Sequence, residues 1–364
     1  MATCRCVIIA NNNHSQYTIV DNYSQLIMKI IIFLITAILT FSNLLAAEVN
    51  IFSSRHYESD TDLYKRFTNK TGIKVNIISG KDNALHKRII EEGKDCLGDL
   101  YFTADAGRLG AFELEGLFQK GVNSEFIKKK VSKNFRSDYW VGIAKRARVI
   151  FYNPNKTNPP KNLRYEDLSK EIFKGKIAIR QSNNIYNQSL VASIIEHNGL
   201  NETQEWIKGF VKNFARSPKG NDRAQILAVA AGEAEYAIAN TYYLALMLSG
   251  KKGEDQKNAA KKIIPYFPNQ KDRGTHMNIS GAGILKYAPN KQNAIKLLEF
   301  LLTEDSQTHI TNNTFEYPII KGVEPNQLIA QFDKNFKQDL NTNISVYSKR
   351  QSEALKIMTE AGWK

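Results

Sequence analysis

Residues 48–78 read EVNIFSSRHYESDTDLYKRFTNKTGIKVNII, and their hydrophobic period changes twice. Val49 and Ile51 alternate with polar neighbours, the two-residue period of a strand. Leu63, Tyr64 and Phe67 then fall on one face of a helix, and Gly72 supplies its stop. Ile73, Val75 and Ile77 return to the strand period. Strand, helix, strand over this length is a βαβ unit, whose strands pair in parallel because the helix crosses between them. The stretch therefore predicts an α/β lobe.

The pattern continues on both sides of a long central segment. NALHKRIIEEG (83–93) reads as a second helix and GDLYFTAD (98–105) as a short strand. YWVGIAKRARVIFYNP (139–154) is a long strand-like run ending at a proline. A second α/β series follows in KIAIRQS (176–182), QSLVASIIEHNG (188–199), NDRAQILAVAAG (221–232) and EYAIAN (235–240). HMNISGAGIL (276–285) is again extended, and NKQNAIKLLEFLLTED (290–305) reads as one helix. This order fits two lobes joined by two crossing strands.

Composition narrows the function. The 364 residues are 42% hydrophobic and 24% charged, as in ordinary globular proteins, and can bury a sizeable core. The net charge of +14 is spread along the chain rather than clustered, so no nucleic-acid partner is expected. Met28 opens MKIIIFLITAILTFSNLLAA, the charged, apolar and small-residue order of a secretory leader, predicted to span 28–47 with cleavage after Ala47. Residues 1–27 lack periodicity and read as an extension ahead of the true start. They hold Cys4 and Cys6, so the exported chain keeps Cys96 alone and cannot close an internal disulfide. No phosphate-binding loop, dinucleotide fingerprint, HExxH or GxSxG motif is present, and the six histidines lack zinc-ligand spacing.

What stands out is where the tyrosines fall. Tyr242 and Tyr243 follow the strand EYAIAN in the first turn of the next helix, with Asn240 or Thr241 as its cap. Tyr186 lies between the strand KIAIR and an apolar helix capped near Asn187, and His56 and Tyr57 follow the first strand. Ligands of open α/β sheets bind beyond the carboxyl ends of strands, where all five residues belong. A phenol ordinarily ionises near pH 10, so only a hard, highly charged cation holds several phenolates at neutral pH. Fe(III) meets that requirement; zinc and copper recruit cysteine or more histidine. Four phenolates leave one excess negative charge on Fe(III), and Arg108, after a strand end in the first lobe, is the expected counter-charge or anion contact. Against this, any single tyrosine is more often a packing residue, and a tyrosine pair can also stack on a sugar or an organic cation.

The segments SSRHY, YNQSL and ANTYY, with RARVIFYN and FPNQKDRGTHMNISGAGI, resemble the exported ferric-ion-binding proteins of bacterial iron ABC transporters over nearly the whole mature chain. The resemblance implies a two-lobed periplasmic-binding-protein fold of type II, closing on iron about the strands KRARVIFYN and MNISGAG. The expected lobes are 48–145 plus 276–320 and 146–275 plus 321–364. It implies metal ligation at His56, Tyr57, Tyr186, Tyr242 and Tyr243, with an anion such as carbonate completing the shell in some members. Fe(II) is an alternative cargo, with some phenols left protonated. A monomer in the periplasm, delivering iron to an inner-membrane ABC permease and catalysing no reaction, is expected. The competing readings are a binding protein for an organic cation such as a polyamine, which would want acidic partners, and an enzyme on the same fold, for which His56 is the sole candidate base.

Overall fold

The computed structural model describes residues 28–29 and 47–364, apart from His56, Lys334 and Thr342. The expected leader and the extension before it thus lie almost wholly outside the described residues, within which no helix is long and apolar enough to cross a membrane. The fold below is that of residues 48–364.

Strand β1 (Glu48–Ser53) pairs in parallel with β2 (Lys74–Ser79), Val49 opposite Val75 and Ile51 opposite Ile77. On its other side it pairs in parallel with β3 (Leu100–Thr103). The helix Asp60–Thr71 between β1 and β2 buries Leu63, Tyr64 and Phe67 and ends on Gly72, whose φ of 73° lets its N–H reach Thr68 O. One expectation changes at the margin. Ile77, on the edge strand β2, is 41% exposed.

The centre of the molecule is β4 (Trp140–Tyr152), buried along nearly its whole length. Strands covered on both faces carry continuous apolar runs, which is how this segment reads. The strand serves two sheets. Trp140–Ala147 pairs antiparallel with β8, the strand Met277–Ile284, which continues antiparallel to β3. Arg148–Tyr152 pairs antiparallel with β6, the strand Tyr236–Asn240, itself parallel to β5, the strand Ile177–Ala178. The short strands β7 (Ile264–Tyr266) and β9 (Tyr317–Pro318) also pair with β4, one on each part. The order β2-β1-β3-β8-β4-β6-β5 thus joins two α/β layers through β4, with β8 alongside its first part.

Two helix assignments differ from the sequence reading. The segment 290–305 divides into Lys291–Leu301 and the start of Glu304–Thr314, because the Thr303 hydroxyl accepts from Ser306 N and begins a new helix. The helix after β5 is Ile185–Asn198, starting earlier than expected, so Tyr186 sits inside its first turn. Asn187 does not cap it; its side chain donates to the carbonyls of Arg180 and Gln181 and accepts from Arg148.

Candidate metal centre

Four tyrosines reach one cleft from three strand-to-helix junctions. Tyr57 follows the carboxyl end of β1, Tyr186 lies beyond β5, and Tyr242 and Tyr243 follow β6 directly in the helix Thr241–Leu248. All four line a cavity of about 840 Å³ together with Arg55, Arg146 and Glu316. The rings of Tyr242 and Tyr243 lie 4.2 Å apart, tilted by 31°. Asn240 leaves the helix start without a side-chain cap, its Oδ1 accepting from Arg148 at 3.1 Å instead. His56 lies outside the described residues.

Beneath the tyrosines is a floor of arginines that the sequence reading did not pick out. Arg146 and Arg148, two apart on β4, present buried side chains to the same side of the strand. Arg146 donates to Glu316 at 2.9 Å, to Ser280 Oγ at 3.0 Å and to Ala104 O. Arg55 donates to the same Glu316 at 2.7 Å and to Asp60 at 2.8 Å, with its guanidinium 4.5 Å from the Tyr57 ring centre. Arg148 and Arg180 both meet Asp222, at 3.2 and 3.5 Å. The Tyr186 ring centre lies 5.3, 5.8 and 6.0 Å from Arg146, Arg180 and Arg148 respectively. Three carboxylates thus pair directly with these four guanidiniums, and the buried Asp105 acts on Arg146 as a fourth. Nη2 of Arg55 and Nε of Arg146 and of Arg148 are buried without a hydrogen-bond partner, so the floor is short of acceptors.

Arg108 does not belong to this cleft. It pairs with Asp82 at 2.6 Å and lines a separate small cavity with His86 and Tyr101, so it is neither the counter-charge nor an anion contact of the tyrosine group. The physical reason is local: Asp82 accepts from Ser54 Oγ (2.5 Å), Tyr101 OH (2.7 Å) and Thr103 Oγ1 (2.7 Å), and a carboxylate so loaded draws the nearest cation. Through Ser54 this cluster anchors the turn that carries Tyr57. The arginines beneath the tyrosines stand in K-R-A-R at 145–148, a run of charge in an otherwise apolar strand.

The electrostatics of the cleft resist ionisation of the phenols. Burial, then Glu316, pushes Tyr57 well above the usual phenol range, against the pull of Arg55 and Arg146. Burial, followed by Tyr186, Tyr243 and Tyr57, does the same to Tyr242, and burial with Tyr186 and Asp222 raises Tyr243. Burial also opposes charge on Glu316, yet Arg55 and Arg146 overcome it and hold its carboxyl below the ordinary value. At neutral pH Tyr57, Tyr242 and Tyr243 are therefore neutral phenols over a floor of arginines, suited to a cation strong enough to displace phenolic protons. Among the described residues no group of three or more His, Cys, Asp or Glu is arranged to hold a metal, so zinc-type ligation has no alternative site there.

Two α/β layers sharing a long strand, with a cleft beyond their strand ends, define a two-lobed solute-binding protein. The chain belongs to the bacterial extracellular solute-binding proteins, whose family model matches residues 98–341, and within them to the ferric-binding type. It is 46% identical to Iron uptake protein A1 of Synechocystis, over 87% of this chain and 88% of that one. It is 28% identical to the Fe(3+)-binding periplasmic protein of Serratia marcescens, over 86% and 89%. The solved Trichodesmium structure in complex with iron and citrate ligands superposes with a TM-score of 0.84 at 47% identity, covering 87% of this chain and all of that one.

Proposed function

We propose that the protein captures ferric iron in the tyrosine cleft and delivers it to an ABC permease. The observation that carries this reading is the convergence of Tyr57, Tyr186, Tyr242 and Tyr243 in one cavity over buried arginines. Bound as phenolates, the four oxygens carry one charge more than Fe(III) neutralises. The guanidiniums of the floor stand next to them and supply positive charge against that excess. This is the role first expected of Arg108. His56, next to Tyr57, is proposed as a further donor on the resemblance alone, and an anion such as carbonate fits any coordination position the protein leaves open. Fe(II) can occupy the site with some phenols still protonated. A polyamine is disfavoured, because Arg55 and Arg146 line the same cavity and repel it.

The proposal extends to the rest of the transport cycle. A leader ending at Ala47 exports the chain to the periplasm, where it acts as a monomer and catalyses no reaction. The lobes 48–145 plus 276–320 and 146–275 plus 321–364 close by hinge motion about β4 and β8, since Tyr57 belongs to one and the other three tyrosines to the other. Metal analysis of the purified protein, read with its visible spectrum, tests this. Stoichiometric iron with a phenolate-to-iron charge-transfer band is expected; a metal-free protein, or a colourless iron complex, overturns tyrosine ligation of Fe(III).

A further inference from the structure

Tyr57 and Tyr186 come from different lobes, so their meeting depends on contacts that set where the lobes touch. One such contact lies beside the cleft and has no part in the tyrosine group. Asp105 caps the helix Ala106–Leu114 beyond β3, its Oδ1 accepting from Gly107 N at 2.7 Å. The same carboxylate accepts from Asn278 Nδ2 on β8 at 2.8 Å. It also accepts from the Ser189 hydroxyl, which lies 2.9 and 3.1 Å from its two oxygens. By the lobe bounds proposed above, Asp105 and Asn278 belong to the first lobe and Ser189 to the second. Ser189 stands three residues after Tyr186 on the helix Ile185–Asn198, about 4.5 Å along its axis and on the same side. What holds Ser189 therefore holds Tyr186.

The carboxylate is costly where it stands. Asp105 is fully buried, and among the described residues it is in no ion pair. Burial pushes its carboxyl above the ordinary value, against the pull of Arg108 and Arg146 from farther away. Capping alone does not require it, since asparagine or serine caps a helix as well. What aspartate adds is a second acceptor oxygen. An amide nitrogen in that place would face the Asn278 amide donor, whose own oxygen is taken by Ala106 N and Ile279 N. Gly107 leaves room for the approach. A Cβ there would lie 2.9 Å from Asp105 Oδ1, 3.2 Å from Gln351 Oε1 and 3.4 Å from Ser189 Oγ, wedging a side chain into the place where the lobes touch. When the lobes part, water replaces Ser189 on the carboxylate. Opening thus forfeits one charge-assisted bond and strands no buried charge, which makes the contact reversible.

We propose that Asp105 and Ser189 form an interlobe latch that positions Tyr186 against Tyr57 and slows the release of iron. Neither residue touches the metal; both act through the tyrosines. The latch rests on the ferric, hinge-closing reading of the cleft and adds the residues that hold it closed.

The test loads wild type, Ser189→Ala and Asp105→Asn with Fe(III) and follows release into excess EDTA by the fading of the charge-transfer band. Both variants should load with the wild-type band, since no phenol is altered. Release should be roughly tenfold faster, the size of one hydrogen bond to a charged group. Small-angle scattering should find the iron-free variants more expanded than iron-free wild type, and the loaded forms alike. Asparagine keeps the helix cap, so Asp105→Asn should fold, and thermal unfolding checks this. Wild-type release and scattering in both variants, even with lower thermal stability, would make the pair structural only. That result overturns the latch while the band keeps the ferric reading intact. A wild type that shows no band with iron, or scatters alike with and without it, refutes the reading beneath the latch, and the latch with it.

Discussion

Replacing Tyr243 by phenylalanine removes one oxygen from the cleft and leaves the ring that packs at a tilt against Tyr242, 4.2 Å between centres. Little stability should be lost: a partly buried hydroxyl contributes about 1 kcal/mol net when hydrogen-bonded, and its desolvation cost vanishes with it. The iron equilibrium should change in a countable way. Tyr57, Tyr242 and Tyr243 all have their phenols raised above the ordinary range, so each is protonated at neutral pH and must release its proton to bind as phenolate. Bound as phenolates, these three release about three protons per Fe(III), which alone lowers affinity about 10³-fold for each unit the pH drops. Tyr243→Phe should release about one proton fewer and flatten that slope about tenfold per unit, with affinity at neutral pH lowered well beyond the ten- to hundredfold typical of residues behind the ligands. Calorimetry in buffers of different ionisation enthalpy counts the protons, and competition against a chelator of known pH dependence gives the slope. An unchanged proton count in the variant, or wild-type iron affinity, would return Tyr243 to a packing role.

Asp82→Asn removes the partner of Arg108 and weakens the anchor at Ser54, so we expect a loss of about 1–3 kcal/mol in thermal unfolding and roughly tenfold in iron affinity, with the charge-transfer band retained. Wild-type affinity in that variant would show that the Ser54 turn holds Tyr57 without it. His276 is buried beside Ser193 Oγ (3.0 Å), and burial, with Arg148, Arg273, Arg146 and His197 nearby, holds its pKa well below 6.5. It therefore stays neutral in the fold while the unfolded chain protonates it. Its contribution is full above about pH 6.5 and is lost as pH falls through the window down to the folded value, by about 1.4 kcal/mol per unit. His276→Gln should flatten that acid limb in denaturant titrations of the iron-free protein; an identical limb would place the acid sensitivity elsewhere. N-terminal sequencing of the native protein should find a start near Glu48, and retention of residues 1–27 would sink the leader assignment.

Much of the molecule was legible from periodicity and position. The βαβ start, the long buried strand and the tyrosines after strand ends are local patterns, and the α/β rule that ligands sit beyond carboxyl ends carries them to one cleft without coordinates. Boundaries read less well where a side chain decided them. Thr303 divides a helix whose apolar spacing runs on, and Asn187 and Asn240, both good caps by type, are claimed by Arg148 from a strand distant in sequence.

The counter-charge shows the division most clearly. Sequence alone determined that four phenolates on Fe(III) need a positive partner, since that follows from charge and ligand chemistry. It could not determine which arginine, because Coulomb interaction depends on distance and burial, and both are properties of the assembled fold. Arg108 had the right position after a strand end, yet folding placed it against Asp82. Arg146 and Arg148 looked like hinge residues, yet the pairing of β4 with both β8 and β6 turned their side chains into the buried floor beneath Tyr186. Donor types are written in the chain; which charges they meet is settled only when strands far apart in sequence pair.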